Sequence, residues 1–480
     1  MDPSPEAFSQ LFQMMRSSET AQEASLQLEE LLKNPNSLIP LVSIVQTSKE
    51  MILKKYAYTC ISVYIRTFHK QFDLETLQFI RKNALSLIIQ ENTEEVRSFL
   101  LYIVSQLLYL SENDWPELTN FIFHENQDLY IELQLLGRYL QKMTAEDINS
   151  NTEIFLTFIA QGLQNLHTII PSLDFLSLLA SKLPDPTILQ QFSNVFLHLF
   201  EEISKNENKN LIYSLIPTYI NCSKTGISLI PFTTLFPLLS QGLAEERFDI
   251  NYRFTLHFFL SLILEYISPV ELQEFVESSF QTIIDIEIYM SLLYFELDGD
   301  DDSAQIHLDN IDSILQLAFS CLPSQNSWEI ILPKTQELIG NEDYKHIAVG
   351  FILLQTAISF CYQESLPLLS ELYNIFVSAL SGPPPLVSIA CNTLQTLSYN
   401  FVSFFSKVPL PIIEALVKLY DSLFQAIESD SIDIMHNTTL PSIVNLTINI
   451  IDSIHDCDSF FDPIWHIIDT FLNKNYFMFQ

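Results

Sequence analysis

Apolar side chains recur at intervals of three and four along most of the chain. Val96, Leu100, Ile103, Leu107 and Leu110 form one helical stripe, and Leu53, Ala57, Cys60, Ile61 and Tyr64 form another. Such spacing predicts amphipathic helices that bury one face. No stretch alternates apolar and polar residues with period two, so the pattern predicts an all-α fold. Start signals support the reading. Thr47 with Glu50 and Ser268 with Glu271 have the S/T-x-x-E capping-box spacing, and Pro269 stands at the first helical position. Asn92 with Glu95 and Asp114 with Glu117 are variants of the same signal.

Prolines behind bulky aliphatics then repeat through the chain, as Leu38-Ile39-Pro40, Leu215-Ile216-Pro217, Leu229-Ile230-Pro231, Ile331-Leu332-Pro333, Leu366-Pro367 and Val408-Pro409. Early in a helix a proline sacrifices few hydrogen bonds and bends the axis, which suits the outer helix of a curved stack. The steps from Pro333 to Pro367 and from Pro367 to Pro409 are of HEAT-repeat length, roughly 40 residues, in which each two-helix unit buries its face on its neighbours. About eleven units would fill the chain. Gly382-Pro383-Pro384-Pro385 reads as a turn inside the array, because the helical pattern is the same on both sides.

Composition narrows the function. With 480 residues, 48% of them apolar, and only 8 glycines, the chain is too apolar for disorder and too glycine-poor for a turn-rich β protein or a cofactor-binding α/β enzyme. Charge is strongly one-sided and graded. Residues 1–97 hold 10 basic and 12 acidic side chains, 98–253 hold 8 and 17, and 254–480 hold 5 and 29, giving −35 overall. That field repels phosphate backbones and anionic headgroups, so direct nucleic-acid binding is not expected, and the last part is suited to cationic partners. Cys60, Cys222, Cys321, Cys361, Cys391 and Cys457 show neither disulfide nor zinc spacing, which fits a reducing compartment. The start, Met1-Asp2-Pro3-Ser4-Pro5-Glu6, lacks the features of a signal peptide, so cytosolic residence is expected. The uncharged run from Ala348 to Tyr362 is short for a membrane span and lacks flanking Lys/Arg clusters, so it reads as a buried helix.

Catalytic signatures are missing: there is no G-x-G-x-x-G, Walker loop, G-x-S-x-G or H-E-x-x-H, so no enzyme, cofactor or metal is expected. No two histidines lie three or four apart, and His167, His198 and His257 read as partly buried helix residues. The segment Glu296-Leu297-Asp298-Gly299-Asp300-Asp301-Asp302 puts five carboxylates in seven residues, whose repulsion favours an exposed loop. Asp298, Asp300, Asp302 and Asp309 match an EF-hand count poorly, because the turn glycine is replaced by Ser303 and the bidentate Glu by Asp309. A solvated insertion and a patch for a basic protein partner are the alternatives, and Glu296, Asp298, Asp300, Asp301 and Asp302 are the candidate contacts.

At this point the residues resemble the importin-β (karyopherin-β) family. Gln22 to Leu38, with Ala24, Leu28 and the Lys33-Asn34-Pro35 turn, is similar to that family's first repeat. Leu77 to Leu118 is closer still, through Ile80-Arg81, Glu91, Val96-Arg97 and Trp115-Pro116-Glu117-Leu118. Trp328 to Phe401 resembles karyopherin beta-3 type importins at Asn341, Asp343-Tyr344-Lys345, Gly350, Ala390-Cys391-Asn392 and Tyr399-Asn400-Phe401. Two departures stand out. The arginine of the family's Arg/Asp ladder is kept at Arg97 but replaced by Ile347 and by Val387 or Ser388 in later repeats. Family members are also about twice this length, so the C-terminal half of the family superhelix is expected to be absent. Phe477-Met478-Phe479-Gln480 then puts apolar residues where a terminal repeat should be polar.

The resemblance implies a HEAT-repeat superhelical solenoid. Residues 1–125 would be importin N-terminal-like repeats that meet a Ran-type GTPase, 126–295 central repeats, 296–303 an acidic loop that also touches the GTPase, and 304–480 further repeats. It implies a nuclear transport receptor that shuttles between cytoplasm and nucleus, carries basic protein cargo of the ribosomal-protein or histone class, and takes Phe-Gly nucleoporin segments on its outer helices. No membrane insertion is implied. Trp115 is expected to fill the seam between repeats, with Asp114 capping and Pro116 opening the next helix. A static HEAT scaffold without nucleotide control is the alternative, and the Trp115-Pro116-Glu117 motif argues against it.

Overall fold

The computed structural model describes every residue except 1, 92, 111–114, 126–127, 298–302, 406, 408–409, 429–438, 454–461, 463–464 and 467–480. The described residues form helices joined by short turns, and no strand occurs among them. They divide into two compact units, Met1–Leu199 with Asn208–Leu229, and Phe200–Glu207 with Ile230–Gln480.

The first unit is a series of helix pairs: Pro5–Met14 with Ala21–Leu32, Leu38–Thr47 with Met51–Phe68, Leu74–Gln90 with Glu94–Leu110, Pro116–Asn120 with Leu129–Tyr139, and Ala145–Gly162 with Ile169–Ala180. The second helix of each pair packs on the second helix of the next, from Met51–Phe68 through to Ile169–Ala180, which then receives Lys209–Lys224. A side-chain register ties them together. Lys142 Nζ donates to the Tyr109 carbonyl (3.3 Å) and Lys182 Nζ to the Leu140 carbonyl (3.1 Å). Each lysine thus satisfies free carbonyls at the C-terminal end of the preceding second helix, where the helix dipole favours a cation. Between Ile169–Ala180 and Lys209–Lys224, Thr218 Oγ1 donates to the Leu173 carbonyl (3.0 Å) and Asn221 Nδ2 to Ser177 Oγ (2.7 Å). Gly162 permits one close approach, since a Cβ there would stand 1.9 Å from Ser172 Oγ.

The second unit repeats the plan with Phe232–Leu243 and Ile250–Tyr266, Pro269–Tyr294 and Ser303–Ser320, Ser324–Ile339 and Tyr344–Phe360, Leu369–Ala379 and Pro384–Asn400, and Leu410–Glu428 and Thr439–Ser453. Its second helices again stack in chain order. The core lies between and within the pairs, filled by side chains such as Tyr252, Phe254, Phe275 and Phe351, all almost fully buried. Ala348–Ile358 is buried within this stack, and no single described helix is long and apolar enough to cross a membrane.

Several local signals resolve differently from their sequence reading. Thr47 closes a helix instead of opening one: its hydroxyl bonds back to the Ser43 carbonyl, and Glu50 caps Met51–Phe68 with no side-chain bond. Ser268 does cap, through the Glu271 N–H at 3.3 Å, but the Glu271 carboxylate reaches the Phe232 N–H (3.1 Å) and not its own cap. A reciprocal capping box forms at Thr144 and Asp147, where acidic Asp replaces the expected Glu. Pro217 and Pro333 lie inside helices, exposed, and Pro231 precedes one as its cap, so these prolines do not share one early helical position. Pro383 and Pro384 open the Pro384–Asn400 helix, which makes the proline run a turn inside the second unit. Pro409 and Cys457 lie outside the described residues.

Candidate functional site

In the first unit the ends of the Leu74–Gln90, Glu94–Leu110 and Leu129–Tyr139 helices bring Glu91, Arg97 and Asp128 together, and a separate contact joins Arg81 to Trp115. Arg97 donates twice to the Glu91 carbonyl (2.9 and 3.2 Å) and meets Asp128 at 3.3 Å. Asp128 also caps the Leu129–Tyr139 helix through the Tyr130 N–H. Lys54 reaches the Glu91 carboxylate at 2.8 Å, and Lys55 pairs with Glu95. Lys54 and the Thr93 amide hold Glu91 below the usual carboxylate range against the opposing effect of its burial.

Trp115 is 4% exposed, with the Arg81 guanidinium 5.0 Å from its ring centroid. Pro116 is the first residue of the next helix, but Trp115 occupies the cap position and makes no side-chain cap bond. Asp114, assigned that role from sequence, lies outside the described residues, and Glu117 is exposed. Where later repeats lack the arginine, the polar contact changes type: Ser388 and Ser442 face each other across 3.1 Å, buried.

Of the acidic segment, Asp298, Asp300, Asp301 and Asp302 lie outside the described residues. Glu296 is exposed just after the Pro269–Tyr294 helix. Asp309 belongs to the Ser303–Ser320 helix, so the twelfth position of the calcium-loop count falls on a helix and not in a loop. Among the described residues no cluster of His, Cys, Asp and Glu could hold a metal ion. Glu296 is one of several acidic residues in the turns that precede second helices of this unit, with Glu245, Glu246 and Asp249, and Glu342 and Asp343. Asp249 and Asp343 cap the helices that follow, so the sorting has a local cause in the positive end of each helix.

A cleft of about 340 Å³ opens between Ile250–Tyr266, Ser303–Ser320 and Tyr344–Phe360. Leu264, Leu317 and Phe360 supply its apolar wall, and Ser261, Gln316 and Glu265 its polar groups. Glu265 is exposed, and no ion pair engages it among the described residues. Asp312 beside it is already satisfied by Thr356 (3.0 Å) and Gln316 (2.6 Å). Beyond the cleft, Gln355, Asn392, Gln395 and Tyr399 stand partly or fully exposed on the following second helices, and Tyr399 donates to Asn449 (3.3 Å). No described Lys or Arg lines the cleft. Arg247, Arg253 and Lys334 are engaged by Glu245, Tyr289 and Asp285. The arrangement offers amides for a peptide main chain, a carboxylate for a cationic side chain and an apolar wall for its stem.

Histidine assignments change as well. His167 is exposed in a turn and His198 is exposed on a helix, whereas His257 is fully buried with its Nε2 2.9 and 3.1 Å from the two Glu287 oxygens.

No protein-family model matches the chain, and no curated protein matches it. Solved structures do. The crystal structure of Kap121p bound to RanGTP superposes with a TM-score of 0.68 at 14% identity, over 98% of this chain and 47% of that one. Kap121p alone gives 0.67 at 14% identity, and the karyopherin Kap121p bound to the SUMO protease Ulp1p gives 0.65 at 15%, each over 98% of this chain and 47% of the other. The fold is therefore the all-α, importin-type HEAT-repeat solenoid. The chain spans about half the length of the structures it matches.

Proposed function

We propose that the chain acts as a nuclear transport receptor of the importin-β type, related to the karyopherin beta-3 importins, or as the corresponding part of one. The helices of the second unit bind a basic segment of cargo, of the ribosomal-protein or histone class, with the cleft at Glu265, Gln316 and Phe360 as its centre. The first three helix pairs and the acidic segment from Glu296 to Asp302 meet a Ran-type GTPase in its GTP form, and Phe-Gly nucleoporin segments bind between first helices. Such a receptor moves between cytoplasm and nucleus and performs no catalysis.

The observation that carries this reading is a cleft with an uncompensated carboxylate and no lysine or arginine in its lining, in a region bearing 5 basic and 29 acidic residues. That distribution draws in Lys/Arg-rich segments and makes their binding salt-dependent. The fold likeness to a structure bound to RanGTP supports the GTPase contact.

The test is fluorescence titration with a labelled lysine-rich peptide. Glu265→Lys should weaken binding roughly tenfold or more, with wild-type affinity falling as salt rises. Binding unchanged by both the substitution and salt would remove the cleft from the cargo site.

A further inference from the structure

The second helices of the two units end differently. In the first unit Met51–Phe68, Leu129–Tyr139 and Lys209–Lys224 carry Arg66, Arg138 and Lys224 in their last turns, and Lys70, Lys142 and Lys182 follow shortly after helix ends. In the second unit no second helix has a basic residue in its last turn. Because Lys142 and Lys182 each reach the end of the preceding second helix, these ends stand side by side, and the cations form one edge of the first unit.

Midway along that edge two cations converge on one phenol. Lys142 Nζ lies 5.9 Å from the ring centroid of Tyr109, whose side chain is exposed. Arg138 is half-buried one turn before Lys142, and its Nη1 donates to the Gln134 carbonyl (2.7 Å) and side-chain oxygen (2.9 Å). Burial lowers its pKa from the ordinary arginine value, and the Tyr130 and Tyr109 phenols beside it act in the opposite sense. Among the described residues no carboxylate pairs with Arg138, Lys142 or Lys182. Asp147 and Asp185, a few residues along the chain, are taken up in caps with Thr144 and Thr187. Helix-end capping accounts for the carbonyl bonds of the two lysines. It does not account for a half-buried guanidinium whose hydrogen-bond partners are all neutral.

We propose that this edge, centred on Arg138, Lys142 and Tyr109, binds an extended acidic segment of a partner protein. The inference is independent of the cargo reading, which places a basic segment in the second unit. Arg138 offers its unbonded Nε and Nη2 to one carboxylate as a bidentate pair, with Lys142 and the Tyr109 hydroxyl as further donors. Lys182, on the next second helix, meets another. Packed helices stand roughly 9 Å apart and an extended chain advances about 3.3 Å per residue, so the matching carboxylates are about three residues apart. Residues 254–480, with 5 basic and 29 acidic side chains, repel such a segment, which confines it to the first unit.

The experiment titrates the full chain with a labelled peptide carrying Glu at every third residue, at about 0.15 M salt, where a Debye length of about 8 Å screens distant acids. Wild type should bind, and the double variant Arg138→Gln with Lys142→Gln should bind roughly tenfold or more weakly. Lys49→Gln with Lys82→Gln removes two exposed charges elsewhere in the unit and should bind as wild type. No binding by wild type, or an equal loss in the two double variants, overturns the proposal. Displacement of the peptide by inorganic phosphate but not by chloride at the same ionic strength also overturns it, and leaves a phosphate site in its place. Should the R138Q/K142Q chain not fold, wild type decides: bound peptide should slow acetylation of Lys142 and Lys182 severalfold and leave Lys49 unaffected, and equal rates with and without peptide refute the site.

Discussion

Replacing Trp115 with alanine probes the seam between the third and fourth helix pairs most sharply. The indole is 4% exposed, and the Arg81 guanidinium over its face is itself only 7% exposed. A buried tryptophan removes roughly 200 Å² from water, which at about 25 cal/mol per Å² amounts to ~5 kcal/mol. Alanine retains part of this and the seam relaxes, while Arg81 loses a cation–π contact of about 1 kcal/mol and keeps its buried charge. The expected net loss is therefore about 3–5 kcal/mol. Trp115→Phe keeps a ring in the seam and should lose about 1–2 kcal/mol. Urea unfolding followed by circular dichroism reads the loss as a fall in the midpoint of the transition that includes this pair. A W115A midpoint equal to wild type would refute the structural role of the ring.

Three further outcomes follow from the same geometry. Arg97→Ala should destabilise the first unit by about 2–3 kcal/mol in urea unfolding, since it abandons two bonds to the Glu91 carbonyl and the Asp128 contact, and Arg97→Lys should recover only part. Glu132 is pushed up to about 7 by burial and then by Asp128. Its contribution is fully present below about pH 4.5 and is lost as pH rises through 7, so Glu132→Gln should gain about 1–2 kcal/mol on wild type across that window after allowance for solvent screening; parallel pH profiles would contradict this. Gly162→Ala should lower the melting temperature, because Ser172 Oγ occupies the Cβ position and must move. An unchanged melting temperature would show that the seam accommodates the methyl.

The helical array was legible in the sequence because stripes such as Val96 to Leu110 need only local spacing to be recognised. Caps and prolines were less so. Thr47 has the right spacing to Glu50, yet the Leu38–Thr47 helix runs through it and satisfies its hydroxyl, so a neighbouring helix end prevailed over the local signal. Pro217 sits inside its helix because the ring faces outward while the stack buries the opposite face. The cleft was not legible at all. Ser261, Gln316 and Phe360 come from three helices some fifty residues apart, and each reads as an ordinary position on its own stripe. His257 hid for the same reason, since its partner Glu287 lies thirty residues on and across a turn. The one signal available was the charge gradient, which pointed to the second unit without naming a position.

The central claim, a transport receptor controlled by a nucleotide-bound GTPase, is tested most directly by calorimetric titration with a Ran-type GTPase loaded first with GTP and then with GDP. The account predicts binding of the GTP form that is at least about a hundredfold tighter than that of the GDP form and that weakens as salt rises. Neutralising Glu296, Asp298, Asp300, Asp301 and Asp302 together should weaken the GTP complex. Equal affinity for the two forms, or none for either, would contradict the receptor reading and leave the chain as a static helical scaffold. GTP-selective binding that ignores the five substitutions would retain the receptor and remove the acidic segment from the interface.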